Sequence, residues 1–161
     1  MMKRMLNLPR MMLLNNANNK RIMAIDYGDA RTGVAVSDES ATLVGDAWVV
    51  HATRMHCLVD KITSEAIARG VALIVIGYPK NMDGTIGPRA EKSEQLSQQL
   101  RQSSNIETVL WDERLTTMQA GRILTITGKR GIKRKNTIDA IAASLILEGY
   151  ISAHRRMPEQ P

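Results

Sequence analysis

Four short stretches of this chain carry carboxylates where an α/β sheet could bring them together. They are Asp26-Tyr27-Gly28-Asp29, Asn81-Met82-Asp83-Gly84, Asp112-Glu113-Arg114, and Asp139 just after a basic run. Ligand sites in such sheets lie beyond the carboxyl ends of parallel strands. That rule selects Asp26 and either Asp112 or Glu113, since each directly follows a strand-like run. Mg2+ takes a few carboxylates together with water and substrate phosphate oxygens. Two such ions about 4 Å apart can activate water and stabilise the leaving oxygen of a phosphodiester. The expected chemistry is nucleic acid cleavage with Mg2+ or Mn2+, as a pair of ions.

Each acid also has a plainer explanation. Asp26 could close an Asx turn toward Gly28. Asp112 and Glu113 could pair with Arg114 or cap a following helix, and because strand neighbours point to opposite faces, one of the two is expected to enter a site. Asn136-Thr137-Ile138-Asp139 reads as a capping-box start of a helix, with the acid on its first turn favoured by the helix dipole. An acid there could still point at a metal.

The rest of the chain agrees with a polyanionic partner. The net charge of +6 is unevenly placed. Residues 1–21 contain Lys3, Arg4, Arg10, Lys20 and Arg21 without an acid, and residues 129–135 contain Lys129, Arg130, Lys133, Arg134 and Lys135, again without one. Outside these ten, twelve basic residues face sixteen acidic ones, so basic segments stand on an acidic body. That distribution suits binding to a phosphate backbone, although it also suits simple solubility. With no Phe, two Trp and three Tyr, stacking of single-stranded bases on aromatic platforms is disfavoured. No P-loop pattern is present, so nucleotide-driven chemistry is disfavoured too. The single cysteine, Cys57, excludes an internal disulfide and fits a reducing cytoplasm. No apolar run approaches the ~20 residues of a membrane span.

The elements that must position these residues follow from periodicity. The 161 residues suit one domain, expected over residues 21–153 between a disordered basic extension (1–20) and a tail (154–161). Arg21–Asp26, Gly33–Ser37 and Ala47–Val50 read as three strands, and the tight returns between them suggest antiparallel pairing. Met55 to Gly70 is spaced as a helix. Val71–Ile76 is a continuous apolar run, as for a strand covered on both faces. A turn-rich loop from Gly77 to Pro88 leads to a polar helix, Arg89–Gln102, then a strand, Thr108–Trp111, and a helix, Leu115–Leu124. A mobile basic loop, Thr127–Lys135, precedes an apolar helix, Thr137–Ile151.

In combination and in order, four of these stretches closely resemble the YqgF/RuvX family of bacterial proteins, which have a ribonuclease-H-like fold related to Holliday junction resolvases. The resemblance is carried by Asp26 through Asp38, Gly77 through Arg89, Trp111 through Thr117, and Lys135 through Ala143, and spans residues 21–151. It implies an α/β, three-layer fold: a mixed five-stranded sheet, its first three strands antiparallel, flanked by helices. It implies a metal-binding catalytic triad of Asp26, Glu113 and Asp139, with Asp112 competing with Glu113, and with Arg31, Asn81, Asp83 and Arg114 bordering the site. Lys129, Arg130, Lys133, Arg134 and Lys135 would grip flanking phosphates. The implied activity is maturation of the 5′ end of precursor 16S ribosomal RNA, with precursor RNA and ribosomal particles as partners. The alternatives are resolution of four-way DNA junctions, by a homodimer rather than a monomer, and a non-catalytic RNA-binding role in ribosome assembly.

Overall fold

The computed structural model of the protein describes residues 20–113 and 132–155. Strands β1 (Arg21–Asp26), β2 (Arg31–Ser37) and β3 (Val44–His51) lead into helix α1 (Met55–Ala68). Strand β4 (Val71–Tyr78), helix α2 (Pro88–Ser104), strand β5 (Glu107–Asp112) and helix α3 (Ile132–Arg155) follow. They form one five-stranded sheet in the order β3-β2-β1-β4-β5. β1, β2 and β3 pair antiparallel, as expected, and β1, β4 and β5 pair parallel.

Side-chain alternation sorts the core into two layers. Met23, Ile25, Val34, Val36, Ile74 and Ile76 point to one face, where they bury Leu58 and Ile62 of α1 and Leu96 and Leu100 of α2. Ala24, Ala35 and Val75 point to the other and meet Ala143, Ile146, Leu147 and Ile151 of α3. The bulky face thus takes two helices and the small-residue face takes one, which can come closer. β4 is covered on both sides, which is why its sequence is apolar without alternation.

Local chemistry fixes the element ends. Pro88 opens α2 after an extended Gly87, the position where its missing N–H costs nothing. Asn105 closes that helix in the left-handed conformation at φ 57°, and Gly70 turns the chain after α1 at φ 68°.

Most expected elements are present but longer. β2 begins at Arg31, β3 spans Val44–His51, β4 runs on to Tyr78, and β5 covers Glu107–Asp112. The largest difference is at α3. It starts at Ile132, so residues 132–135 are helical rather than part of a loop, and Asp139 lies in the helix interior instead of on a capped first turn. Lys and Arg are good helix formers, and their run lets the helix extend upstream of Asn136. α3 also continues to Arg155, into the expected tail. The helix expected at Leu115–Leu124, the loop before residue 132 and the extension before residue 20 lie outside the described residues. Among the described residues, no helix is long and apolar enough to cross a membrane.

Candidate functional site

The site forms where the parallel strands end and α3 crosses the sheet. Asp26 is the last residue of β1 and pairs with Gly33 of β2. By alternation it shares the α3 face with Ala24, as Gly33 does with Ala35. On β4, Gly77 follows the α3-facing Val75 and sits beside Trp111 of β5. Two residues beyond Trp111, Glu113 brings its carboxylate over Gly77: a Cβ built on that glycine would stand 2.2 Å from Glu113 Oε1. Asp112, one residue earlier, belongs to the opposite face of the strand. Alternation therefore separates the two candidates, and Glu113 is the one beside Asp26.

The third acid arrives with α3. A Cβ on Gly33 would lie 1.9 Å from the backbone carbonyl oxygen of Asp139. The helix backbone thus rests directly on β2, at the position paired with Asp26. A third glycine, Gly28, shapes the turn between β1 and β2, since a Cβ there would stand 2.1 Å from the carbonyl oxygen of Arg31.

The three acids lie within electrostatic reach of one another. Asp26 is half-buried, and its carboxyl is pushed up to about 8. Burial is the first cause; the charge of Glu113 and a side-chain hydrogen bond with it come next, and Asp139 adds a smaller push. The charge of Arg89, at the start of α2, works the other way. Asp139 meets a cation of its own: Arg31 Nε donates to Asp139 Oδ2 at 3.1 Å. Both side chains are partly shielded, at 35% and 22% exposed.

Two basic residues of α2 that sequence reasoning did not single out hold the β1–β2 turn in place. Arg89 Nη2 donates to the Tyr27 carbonyl at 3.1 Å, and Lys92 Nζ pairs with Asp29 Oδ1 at 2.6 Å. That bond with Lys92 is the main reason the Asp29 carboxyl lies below its ordinary value. Their three-residue spacing on the first turns of a helix was the available signal. Gly33 and Gly77 were also missed as site residues, because a sequence gives no sign of what occupies the space above a glycine.

The remaining expected residues are placed as follows. Asn81 and Asp83 lie in the loop between β4 and α2 and bond within it: Asn81 Nδ2 donates to Thr85 Oγ1 at 2.9 Å, and Asp83 Oδ1 accepts from Thr85 N at 2.9 Å. Lys133, Arg134 and Lys135 stand on the first turn of α3. Arg114, Lys129 and Arg130 lie outside the described residues.

The donor set is all carboxylate oxygen, the kind that hard divalent cations take. A cation between Asp26 and Glu113 would offset both the burial and the Glu113 charge that raise the Asp26 carboxyl, so the residues fit such an ion. Among the described residues, no three acidic or histidine side chains already stand close enough to hold one. Asp26 and Glu113 are engaged with each other, and Asp139 is engaged with Arg31.

The family model RuvX, described as Holliday junction resolvase, matches residues 20–153. A protein of Halothermothrix orenii is 40% identical over 144 residues, covering 85% of this chain and 98% of its own length. One of Geobacillus thermodenitrificans is 41% identical over 137 residues, covering 84% and 99%. Both bear the name "Putative pre-16S rRNA nuclease". Among solved structures, the T. thermophilus RuvC in complex with Holliday junction substrate superposes with a TM-score of 0.58 at 10% identity, covering 84% of this chain and 95% of that one. At that identity the likeness concerns the fold, which is the expected ribonuclease-H-like arrangement.

Proposed function

The chain belongs to the RuvX family of Holliday junction resolvases, and on that footing we propose that it is a divalent-metal-dependent endonuclease that processes the 5′ end of precursor 16S rRNA. The observation that carries the reading is the convergence of Asp26, Glu113 and Asp139 on one face of the sheet, at the carboxyl ends of its parallel strands. The names of the relatives support the choice of substrate.

In this reading Asp26, Glu113 and Asp139 hold Mg2+ or Mn2+, as a pair of ions. The chemistry such ions supply is acidification of water and compensation of charge on the phosphate under attack. The protein's own residues do the positioning. Asp26, on the central strand, shares the charge of the site with Glu113, and Gly77 leaves room for that contact. Gly33 lets α3 deliver Asp139 against β2. Arg31, Asn81, Asp83 and Arg114 border the substrate. Flanking phosphates meet Lys129, Arg130, Lys133, Arg134 and Lys135; the last three stand on a helix N-terminal turn, where backbone N–H groups also attract anions.

A second reading, resolution of four-way DNA junctions, is favoured by the family description and by the fold shared with a resolvase solved on its junction. Symmetric cutting of a junction requires two sites and hence a homodimer.

The experiment incubates purified protein with precursor 16S RNA and with a four-way DNA junction, each with Mn2+ or EDTA, beside the Asp26→Asn variant. Metal-dependent cleavage of the RNA that is lost in the variant supports the rRNA nuclease. Cleavage of the junction alone supports the resolvase. Binding of either without cleavage overturns both in favour of an assembly factor.

A further inference from the structure

The acid that α3 contributes is held by an arginine. The main chains at both ends of this pair are closely packed. The Asp139 carbonyl lies in the space above Gly33, and the Arg31 carbonyl lies in the space above Gly28. An exchange of partners therefore needs only the two side chains to move. The pair is partly open to solvent, at 35% and 22% side-chain exposure. Ion pairs this accessible contribute little, which makes this one easy to displace.

We propose that Arg31 stands in for the cation at Asp139 and moves from that carboxylate to a substrate phosphate when the metal is taken up, so that metal and nucleic acid strengthen each other's binding. The inference rests on the nuclease reading above. Its logic is charge balance. A cation that captures the Asp139 carboxylate leaves the guanidinium beside another positive charge, without its partner. An arginine presents five N–H donors in a planar fork that matches phosphate oxygens in pairs. The bond to Asp139 uses Nε alone of these five. A phosphate arriving at the loaded site is therefore the partner that restores neutrality. By linkage, if the metal releases Arg31 toward nucleic acid, nucleic acid must tighten the metal by the same factor.

The test uses the full chain and its Arg31→Gln and Arg31→Lys variants. Mn2+ affinity without nucleic acid is read by electron paramagnetic resonance. Affinity for a fluorescein-labelled precursor 16S fragment and for a four-way DNA junction is read by anisotropy, with and without Ca2+, across a salt series. Arg31→Gln is expected to bind Mn2+ about two- to five-fold more tightly, the size of effect a partly exposed ion pair allows. The same variant is expected to bind nucleic acid more weakly, with a salt slope shallower by about one, and to lose most of the tightening that Ca2+ gives the unaltered protein. Arg31→Lys, which keeps the charge and loses the fork, should fall between the two. Unchanged or weaker Mn2+ binding in Arg31→Gln, or a full Ca2+ response, overturns the exchange. Should the variants not fold, NMR of the unaltered protein decides: Mg2+ should shift the Arg31 Nε–H resonance and speed its exchange with water, and an unmoved resonance sinks the idea. If the unaltered protein binds neither Mn2+ nor nucleic acid, the nuclease reading itself falls. If it binds both, and Arg31→Gln leaves both affinities as they were, only the exchange falls.

Discussion

The carboxylate of Glu113 occupies the space that any side chain at residue 77 would fill, with Oε1 only 2.2 Å from where a Cβ of Gly77 would be. One glycine on β4 is thus what lets an acid from the end of β5 reach Asp26 on β1. Reading Gly77 from its turn-rich surroundings as the start of a loop concealed this, because β4 continues through it to Tyr78.

Substitution at this glycine should separate activity from stability. In Gly77→Ala the new methyl meets the tip of Glu113 and, at 2.8 Å, Ile146 Cδ1, both movable side-chain ends. The protein should fold, at a cost of about 1–3 kcal/mol in urea unfolding, while cleavage falls because Glu113 is displaced from Asp26. In Gly33→Ala the methyl meets the α3 backbone at 1.9 Å, which cannot give way locally. Gly33→Ala should therefore be the less stable of the two, and equal stabilities would contradict the packing described.

The two neighbouring acids at the end of β5 should behave differently. Glu113→Gln is expected to abolish metal-dependent cleavage, whereas Asp112→Asn, on the other face, should retain most of it. Cleavage assays on both variants, with circular dichroism to confirm folding, check this directly. Equal losses would mean that strand alternation does not sort these side chains.

Asp26→Asn should reduce cleavage by more than about 100-fold, since even groups that only orient metal ligands are typically worth 10–100-fold. Its stability without metal should rise at neutral pH, because the folded protein otherwise has to hold Asp26 protonated where the unfolded chain has released that proton. Thermal melting in EDTA measures that rise. A lower melting temperature than the unaltered protein would count against the raised Asp26 carboxyl.

Stability without metal should fall as pH increases. The Asp26 carboxyl titrates at about 8 in the folded protein against 3.8 ordinarily, so between those values the folded state holds a proton that the unfolded chain has released. Where the folded state binds more protons, rising pH destabilises it. Melting temperatures in EDTA should therefore decline from about pH 4 to about pH 8, with a flatter profile in Asp26→Asn. Mg2+ should also flatten the profile by competing with that proton for the Asp26 carboxylate. A pH-independent melting curve for the unaltered protein would rule the effect out.

Much of this protein could be read from its residues in order. The continuous apolar run at Val71–Ile76 marked a strand covered on both faces, and the early tight returns marked the antiparallel strands. The acids after strand-like runs marked the carboxyl edge of the parallel strands. These features are local: periodicity, turn chemistry and strand ends are written within a few residues. The start of α3 was misjudged for a local reason as well, since Asn136-Thr137-Ile138-Asp139 resembles a helix cap and the basic residues before it resemble a loop. Lysine and arginine carry a helix well, so the helix begins earlier and Asp139 becomes an interior residue. What only the tertiary structure decided were the relations across the sheet: which of Asp112 and Glu113 faces Asp26, that Arg31 binds Asp139 over a separation of 108 residues, and that Arg89 and Lys92 brace the turn beyond β1. Each depends on register and on the approach of a helix to a strand. Those distances are set by the side chains missing from Gly33 and Gly77, and a glycine in a sequence does not say what fills its place.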